Sequence, residues 1–257
     1  MILIDSHAHL DMLDDLPGVL ERAARAGVVQ IVTIGVDLKS SCAAAGLAAS
    51  HAHVYHTVGL HPHDAEAADH AYFAAMEKLA RGSGALAIGE CGLDFFRDLS
   101  PRPAQRRAFA RQIEMALRLG LPLVVHDRDA HEEMAAMLEE QHAERVGGVL
   151  HCFSGDLNLA RRVMDMGFHL GVTGTITYKN AGSLRELARL VPAERLLLET
   201  DCPYLSPIPK RGKPNEPAYL ALTVTGLAQA LEVTPAEAAS LTTANTRRLF
   251  GLPDLEA

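Results

Sequence analysis

The sequence predicts an α/β fold, a single (β/α)8 TIM barrel, and three observations carry that prediction. Eight short hydrophobic runs alternate with longer segments whose apolar residues recur every three or four positions, the pattern of strands alternating with helices. Six side chains able to hold a metal stand where such runs end: His7 and His9 after ILID, Glu90 after ALAIG, His126 after LPLVV, His151 after GGVL and Asp201 after RLLLET. Groups so far apart in sequence converge only if the strands are parallel neighbours, as in a closed barrel, whose strand C-termini meet on one face where active sites sit. Finally, 257 residues suit one barrel, and no linker, repeat or low-complexity tract divides them, so residues 1–257 are read as one domain.

The strand-like runs are ILID (2–5), VQIVTIG (29–35), VYHTVG (54–59), ALAIG (85–89), LPLVV (121–125), GGVL (147–150), FHLGV (168–172) and RLLLE (195–199). Between them, Tyr72, Met76 and Leu79 form one helical stripe and Phe109, Ile113 and Leu117 another, both read as core packing. Ser100-Pro101 reads as an N-cap followed by proline at the first helical position, with Gly120 ending that helix. Asp156 opens a helix that Gly167 closes, and Thr234-Pro235-Ala236-Glu237 is a capping box that starts the last one. The eighth strand is followed by DCPYLSPIPKRGKPNEP, whose five prolines and basic cluster stiffen a long loop at the functional end of a barrel.

Composition narrows the function. Hydrophobic residues make up 48%, which argues against wholesale disorder, and the absence of Trp leaves an aliphatic, alanine-rich core. A net charge of −8 argues against a broad basic surface gripping many phosphates while leaving room for a local basic patch. The N-terminal ILI is too short for a secretory signal, and no run reaches the length of a membrane helix. Cys42, Cys91, Cys152 and Cys202 lack zinc-finger spacing, so a reduced, cytoplasmic compartment is expected. Three of them directly follow a candidate ligand, but adjacent strand side chains point to opposite faces, and they are read as small buried thiols.

His7-Ala8-His9 places two imidazoles on the same side of an extended segment. An HxH alone is a weak signal; two further histidines and two carboxylates at other strand ends strengthen it. Mixed imidazole and carboxylate donors suit zinc, manganese or magnesium. Six donors exceed what one open catalytic ion usually takes, so a pair of ions bridged by Glu90 is expected, His7 and His9 on one and His126 and His151 on the other. Such an ion lowers the pKa of water towards neutrality, with Asp201 beside it as ligand or proton acceptor. In GLHPH, His61 and His63 lie at the same end of the barrel, and His61 is the better site candidate, holding a phosphate oxygen or protonating a leaving group, its alternative being a structural turn histidine. His51, His53, His56, His70, His131, His142 and His169 are read as core or surface residues.

DSHAHLD, GLHPH, IGECGLDFFR, VVHDRDA, HCFSGD, ETDCPYL and RGKPNEP, in this order, resemble the TatD family of metal-dependent deoxyribonucleases, part of the amidohydrolase-like group. The resemblance runs from Asp5 to NTRRLFG near the C-terminus. It implies a TIM barrel, one or two divalent ions (Mg2+, Mn2+ or Zn2+) and hydrolysis of DNA phosphodiester bonds, with a 3′–5′ exonuclease and a role in DNA repair as the expected form. It also implies His7, His9, Glu90, His126, His151 and Asp201 as the metal set, agreeing with the choice made from the residues, among which Glu90, Asp201 and His61 are the catalytic candidates. Arg97, Lys179, Arg211 and Lys213, on loops after strand ends, are the candidates for phosphate contacts. DNA is the expected partner, bound at an end through few phosphates, with no membrane. Pro214 stands where the RGK-x-NEP stretch commonly carries a basic residue, which weakens one substrate contact. The rival readings are D-aminoacyl-tRNA deacylation or other ester and amide hydrolysis at the same centre, and a non-catalytic nucleic-acid-binding or scaffold protein.

Overall fold

A computed structural model describes residues 1–254. Among these, the order is β1 (Leu3–Ala8), α1 (Leu16–Arg25), β2 (Val28–Thr33), α2 (Leu38–Ser50), β3 (Val54–His56), α3 (His70–Ser83), β4 (Ile88–Asp94), α4 (Arg102–Leu119), β5 (Leu123–Arg128) and α5 (His131–Glu140). The chain continues through β6 (Gly148–Leu150), α6 (Leu157–Asp165), β7 (Phe168–Val172), α7 (Gly182–Leu190), β8 (Leu196–Leu198), α8 (Leu220–Leu231) and α9 (Pro235–Phe250). All eight expected strands are present. None of the described helices is long and apolar enough to cross a membrane.

The chain forms two compact units, Met1–Thr33 together with the chain from Leu170 on, and Ile34–His169. In the first, β1 pairs with β2 and β7 with β8, both parallel. A bridge between Ala8 and Cys202 joins the end of β1 to the segment after β8. Leu3, Ile4, Leu170, Leu197 and the α8 residues Val224 and Leu227 are buried in its core. In the second unit β4 pairs with β5 and β5 with β6, again parallel. Its core takes Met76 of the α3 stripe and Phe109 and Ile113 of the α4 stripe, all fully buried, while Tyr72, Leu79 and Leu117 are half-buried.

The helix stops and starts follow local chemistry. Gly120 ends α4 in the left-handed region at φ 66°, where a Cβ would be strained. The Asp156 carboxylate accepts from the Leu159 N–H at the start of α6, and Thr234 and Glu237 cap α9 reciprocally. Ser100 departs from expectation. Pro101 stands at the N-cap position with no side-chain cap, while the Ser100 hydroxyl donates to the His63 carbonyl at 2.7 Å and accepts from the Glu66 N–H at 3.1 Å.

Three strands run further than their hydrophobic runs. β1 extends through SHA, β4 through ECGLD and β5 through HDR, so His7, Glu90 and His126 lie within strands instead of after them. These stretches mix polar and apolar residues, yet the register continues with Gly92 opposite His126 and Asp94 opposite Arg128; paired backbone groups keep them extended, with Ala8, Cys91 and Leu93 buried. β3 is shorter than expected, ending at His56, with Val58 retaining an isolated bridge to Ile88.

Candidate metal centre

In the first unit three donors meet where β1 and the segment after β8 run side by side. The Asp201 N–H donates to the His7 carbonyl and the His9 N–H to the Cys202 carbonyl, each at 2.9 Å. This stitching brings Asp201 Oδ1 to 3.6 Å from His7 Nε2 and 3.4 Å from His9 Nε2. All three residues are buried, and the two rings meet edge to face at 5.1 Å. Asp5 sets the approach to Asp201 by accepting from the Thr200 N–H at 2.9 Å and the Thr200 hydroxyl at 2.6 Å.

In the second unit the donors gather on Glu90. Its Oε1 lies 2.9 Å from His126 Nδ1, 3.3 Å from His151 Nε2 and 3.6 Å from His61 Nε2. Gly59 makes this position possible, since a Cβ there would come within 2.2 Å of the Gly89 carbonyl carbon and 2.5 Å of the Glu90 nitrogen. Burial pushes the Glu90 carboxyl upward, but its electrostatic contacts with the surrounding histidines, His151 foremost, and hydrogen bonds from His126 and His151 hold it well below the usual carboxylate range. Burial pushes His61 down to about 3 against the pull of Glu90. Its Nδ1 accepts from the His63 N–H at 3.2 Å, which assigns the proton of the neutral ring to Nε2, the nitrogen facing Glu90. His126 is also penalised by burial, yet hydrogen bonds to Asp94 and Glu90 raise its pKa above the ordinary value.

Asp94 is the residue of this cluster that sequence reasoning missed. Its Oδ2 lies 2.8 Å from His63 Nε2 and 3.2 Å from His126 Nε2. Its Oδ1 accepts from the N–H groups of Phe96 and Arg97 at 3.0 and 2.7 Å. The available signal was the spacing in ECGLD, which puts Asp94 four residues beyond Glu90 on what proves to be one strand. His63, the weaker candidate of the GLHPH pair, is thereby a partner of the same carboxylate.

The donor chemistry fits divalent ions. His7, His9 and Asp201 form one group whose ligand atoms lie within 4.8 Å of one another, and His61, Glu90 and His126 form another. Two donors of one tetrahedral ion, each bound at about 2.1 Å, stand about 3.4 Å apart, close to the spacings around Asp201 and between Glu90 and His151. No thiol joins either group; Cys91 and Cys202 are buried, as expected, with burial pushing both thiols up, while Cys152 is half-buried and Cys42 exposed. Nitrogen and oxygen donors without sulfur suit zinc, manganese or magnesium.

The candidate phosphate-binding residues lie on loops. Arg97 follows β4 in the second unit, whereas Lys179, Arg211 and Lys213 belong to the first. All four are exposed. The Arg211 guanidinium stacks over the Tyr178 ring at 4.5 Å. The proline-rich loop that carries Arg211 is anchored by buried Asn215, whose amide donates to the Thr200 and Tyr204 carbonyls at 2.9 and 2.7 Å. Of the histidines given no site role, His131 pairs with Asp127 at 2.6 Å and His56 with the Ser83 hydroxyl at 2.8 Å.

Residues 4–251 match the model of the TatD related DNase family. The chain belongs to the TatD family. It is 40% identical over 252 residues to an uncharacterized metal-dependent hydrolase, YabD, of Bacillus subtilis, covering 97% of this chain and 99% of that one. It is also 40% identical over 243 residues, 93% of this chain and 94% of the other, to the 3′–5′ ssDNA/RNA exonuclease TatD of Escherichia fergusonii. Among solved structures it is similar to YjjV, a TatD homologue from Escherichia coli K12, with a TM-score of 0.92, 32% identity and 98% of each chain covered. The fold is the TIM-barrel, amidohydrolase-like fold of TatD proteins, as the sequence predicted, and the chain is a metal-dependent hydrolase.

Proposed function

We propose that this TatD-family hydrolase is a nuclease that removes nucleotides from a 3′ end of DNA, acting as one domain over residues 1–257. In this reading His7, His9, Glu90, His126, His151 and Asp201 hold one or two divalent ions. The observation that carries it is the pair of donor groups, each pure nitrogen and oxygen and each built on a family motif. The name of the Escherichia fergusonii relative supports the choice of bond and direction.

Bound ions of this kind activate water and stabilise charge developing on phosphate. The chain's own groups then divide the remaining work. Asp201 is placed to take a proton, since its Oδ1 lies at the edge of both imidazoles of its cluster. Glu90, kept ionised, holds His126 and His151 in orientation. His61, kept neutral, holds a phosphate oxygen through its Nε2 hydrogen more readily than it protonates a leaving group. Arg97, Lys179, Arg211 and Lys213 take other phosphates, few enough to suit a chain of net charge −8.

The test is reconstitution of metal-free protein separately with Mg2+, Mn2+ and Zn2+, followed by assays on end-labelled single- and double-stranded DNA, RNA and aminoacyl-tRNA. Stepwise release of mononucleotides, stalled by a blocked 3′ end, is the expected result. Fast ester cleavage of aminoacyl-tRNA without nucleotide release from DNA would overturn the reading.

A further inference from the structure

We propose that Phe96 is a stacking platform for an unpaired nucleobase, with the Arg128 guanidinium seated on one face of its ring and the other face offered to substrate. The inference rests on the nuclease reading above and adds to it the group that receives a base.

Phe96 follows the end of β4 by two residues and is 59% exposed, unusual for a large apolar ring. Its neighbour Phe95 is half-buried beneath Arg102 and Arg106, whose guanidinium carbons lie 4.2 and 5.8 Å from the ring centre. Among the described residues Phe96 has a single such cover. The Arg128 guanidinium carbon stands 4.0 Å from its centroid, and Arg128, itself exposed, makes no ion pair among the described residues. A ring capped by a cation on one side and more than half exposed leaves its second face open, and the cation keeps its positive charge available to a phosphate.

This exposed ring is held in place. Asp94 Oδ1 accepts from the Phe96 and Arg97 N–H groups, while its Oδ2 meets the imidazoles of His63 and His126. One carboxylate therefore ties the backbone that carries the ring to the Glu90 cluster. Gln105 pins the rest of the loop, accepting from the Asp94 N–H at 2.8 Å and donating to the Asp94 and Ser100 carbonyls at 3.1 and 2.9 Å. A platform already ordered loses little entropy when it binds.

The ligand follows from the chemistry. An open aromatic face backed by the Arg128 guanidinium, with the exposed Arg97 next in the chain and beside a cluster suited to phosphodiester hydrolysis, matches a nucleotide with its base on the ring and its phosphate on a cation. Every base has a π-face, so the site tolerates any sequence. A base inside a duplex has both faces occupied by its neighbours, so the site favours single strands and frayed ends.

The absence of tryptophan from the chain gives a direct test. Phe96→Trp places a sole indole reporter at the platform of the metal-loaded protein. A phosphorothioate single strand that resists hydrolysis should quench its emission; a strand of equal length and charge with abasic 3′ positions should not. Phe96→Ala should bind the base-bearing strand about fivefold to about a hundredfold more weakly and the abasic strand as the parent does, with Phe96→Trp restoring parental affinity. Equal quenching by both strands, or parental affinity in Phe96→Ala, would overturn the platform and leave the nuclease reading standing if the parent still releases nucleotides. A parent that neither binds nor cuts DNA would remove both.

Discussion

The Asp201 and Glu90 carboxylates show how differently two acidic side chains can be used a few ångströms from histidine. Asp201 faces two imidazoles through one oxygen, whereas Glu90 gathers three onto a single oxygen at full burial. Asp201→Asn keeps the shape but removes a charge and a proton acceptor, so turnover should fall about a hundredfold to about ten-thousandfold while the thermal transition of the metal-free protein stays near that of the parent. Turnover within a factor of a few of the parent would remove Asp201 from the chemistry. His126→Ala and His151→Ala should each lose one ion per chain by elemental analysis together with activity; unchanged metal content in both variants would sink the ligand assignment. Much of this was legible in the sequence, because histidines and carboxylates at the ends of hydrophobic runs stand out against an apolar background. Asp94 was not, and the partner of His63 was not, because a carboxylate four residues along the same strand has no visible partner until two strands are aligned.

At the scale of elements, hydrophobic runs located every strand but misjudged where several stop. The residues that extend β1, β4 and β5 mix histidines and carboxylates with buried Ala8, Cys91 and Leu93, and the neighbouring strand's hydrogen bonds keep them extended, a property that no single-segment pattern contains. Ser100 was misassigned for a related reason: as a hydrogen-bonding side chain before a proline it satisfies the local rule for an N-cap, yet a non-local partner, the His63 carbonyl, claims it. The loop after β8 was legible as a stiff connection, and Asn215 supplies the anchor that prolines alone do not. That rigidity bears on its basic residues. If Arg211 is held over Tyr178 to meet a phosphate, Arg211→Ala and Lys179→Ala should each weaken DNA binding across all sequences and reduce the salt slope by about one unit. Identical binding isotherms for parent and variants at every salt concentration would exclude these phosphate contacts.

For the molecule as a whole, the candidate donors stand in or just after strands throughout the chain, so metal held by them should couple to folding of both units and not to one segment. Ions present at a hundred times their dissociation constant add about 2.7 kcal/mol to a native state that alone binds them. For a chain of this size the expected rise in melting temperature is roughly 5–10 °C. Chelation should lower the melting temperature by that amount and Mn2+ or Zn2+ should restore it, with a smaller recovery in Asp201→Asn. A melting temperature indifferent to chelator, in protein whose metal content follows the treatment, would show the ions to be bound outside the folded core.

Gly59 carries a consequence for genetics. It has no functional group, yet in a growth or activity selection position 59 should behave as an essential residue, because even alanine would thrust a carbon into the peptide unit that bears Glu90. The obstructing atoms are main chain, shared by every amino acid, so side-chain exchanges at 89 or 90 offer no suppressor. Gly59→Ala should therefore yield inactive protein with reduced metal content and no intragenic revertants other than restoration of glycine, and recovery of an alanine-bearing revertant with full activity would show that the backbone can yield there.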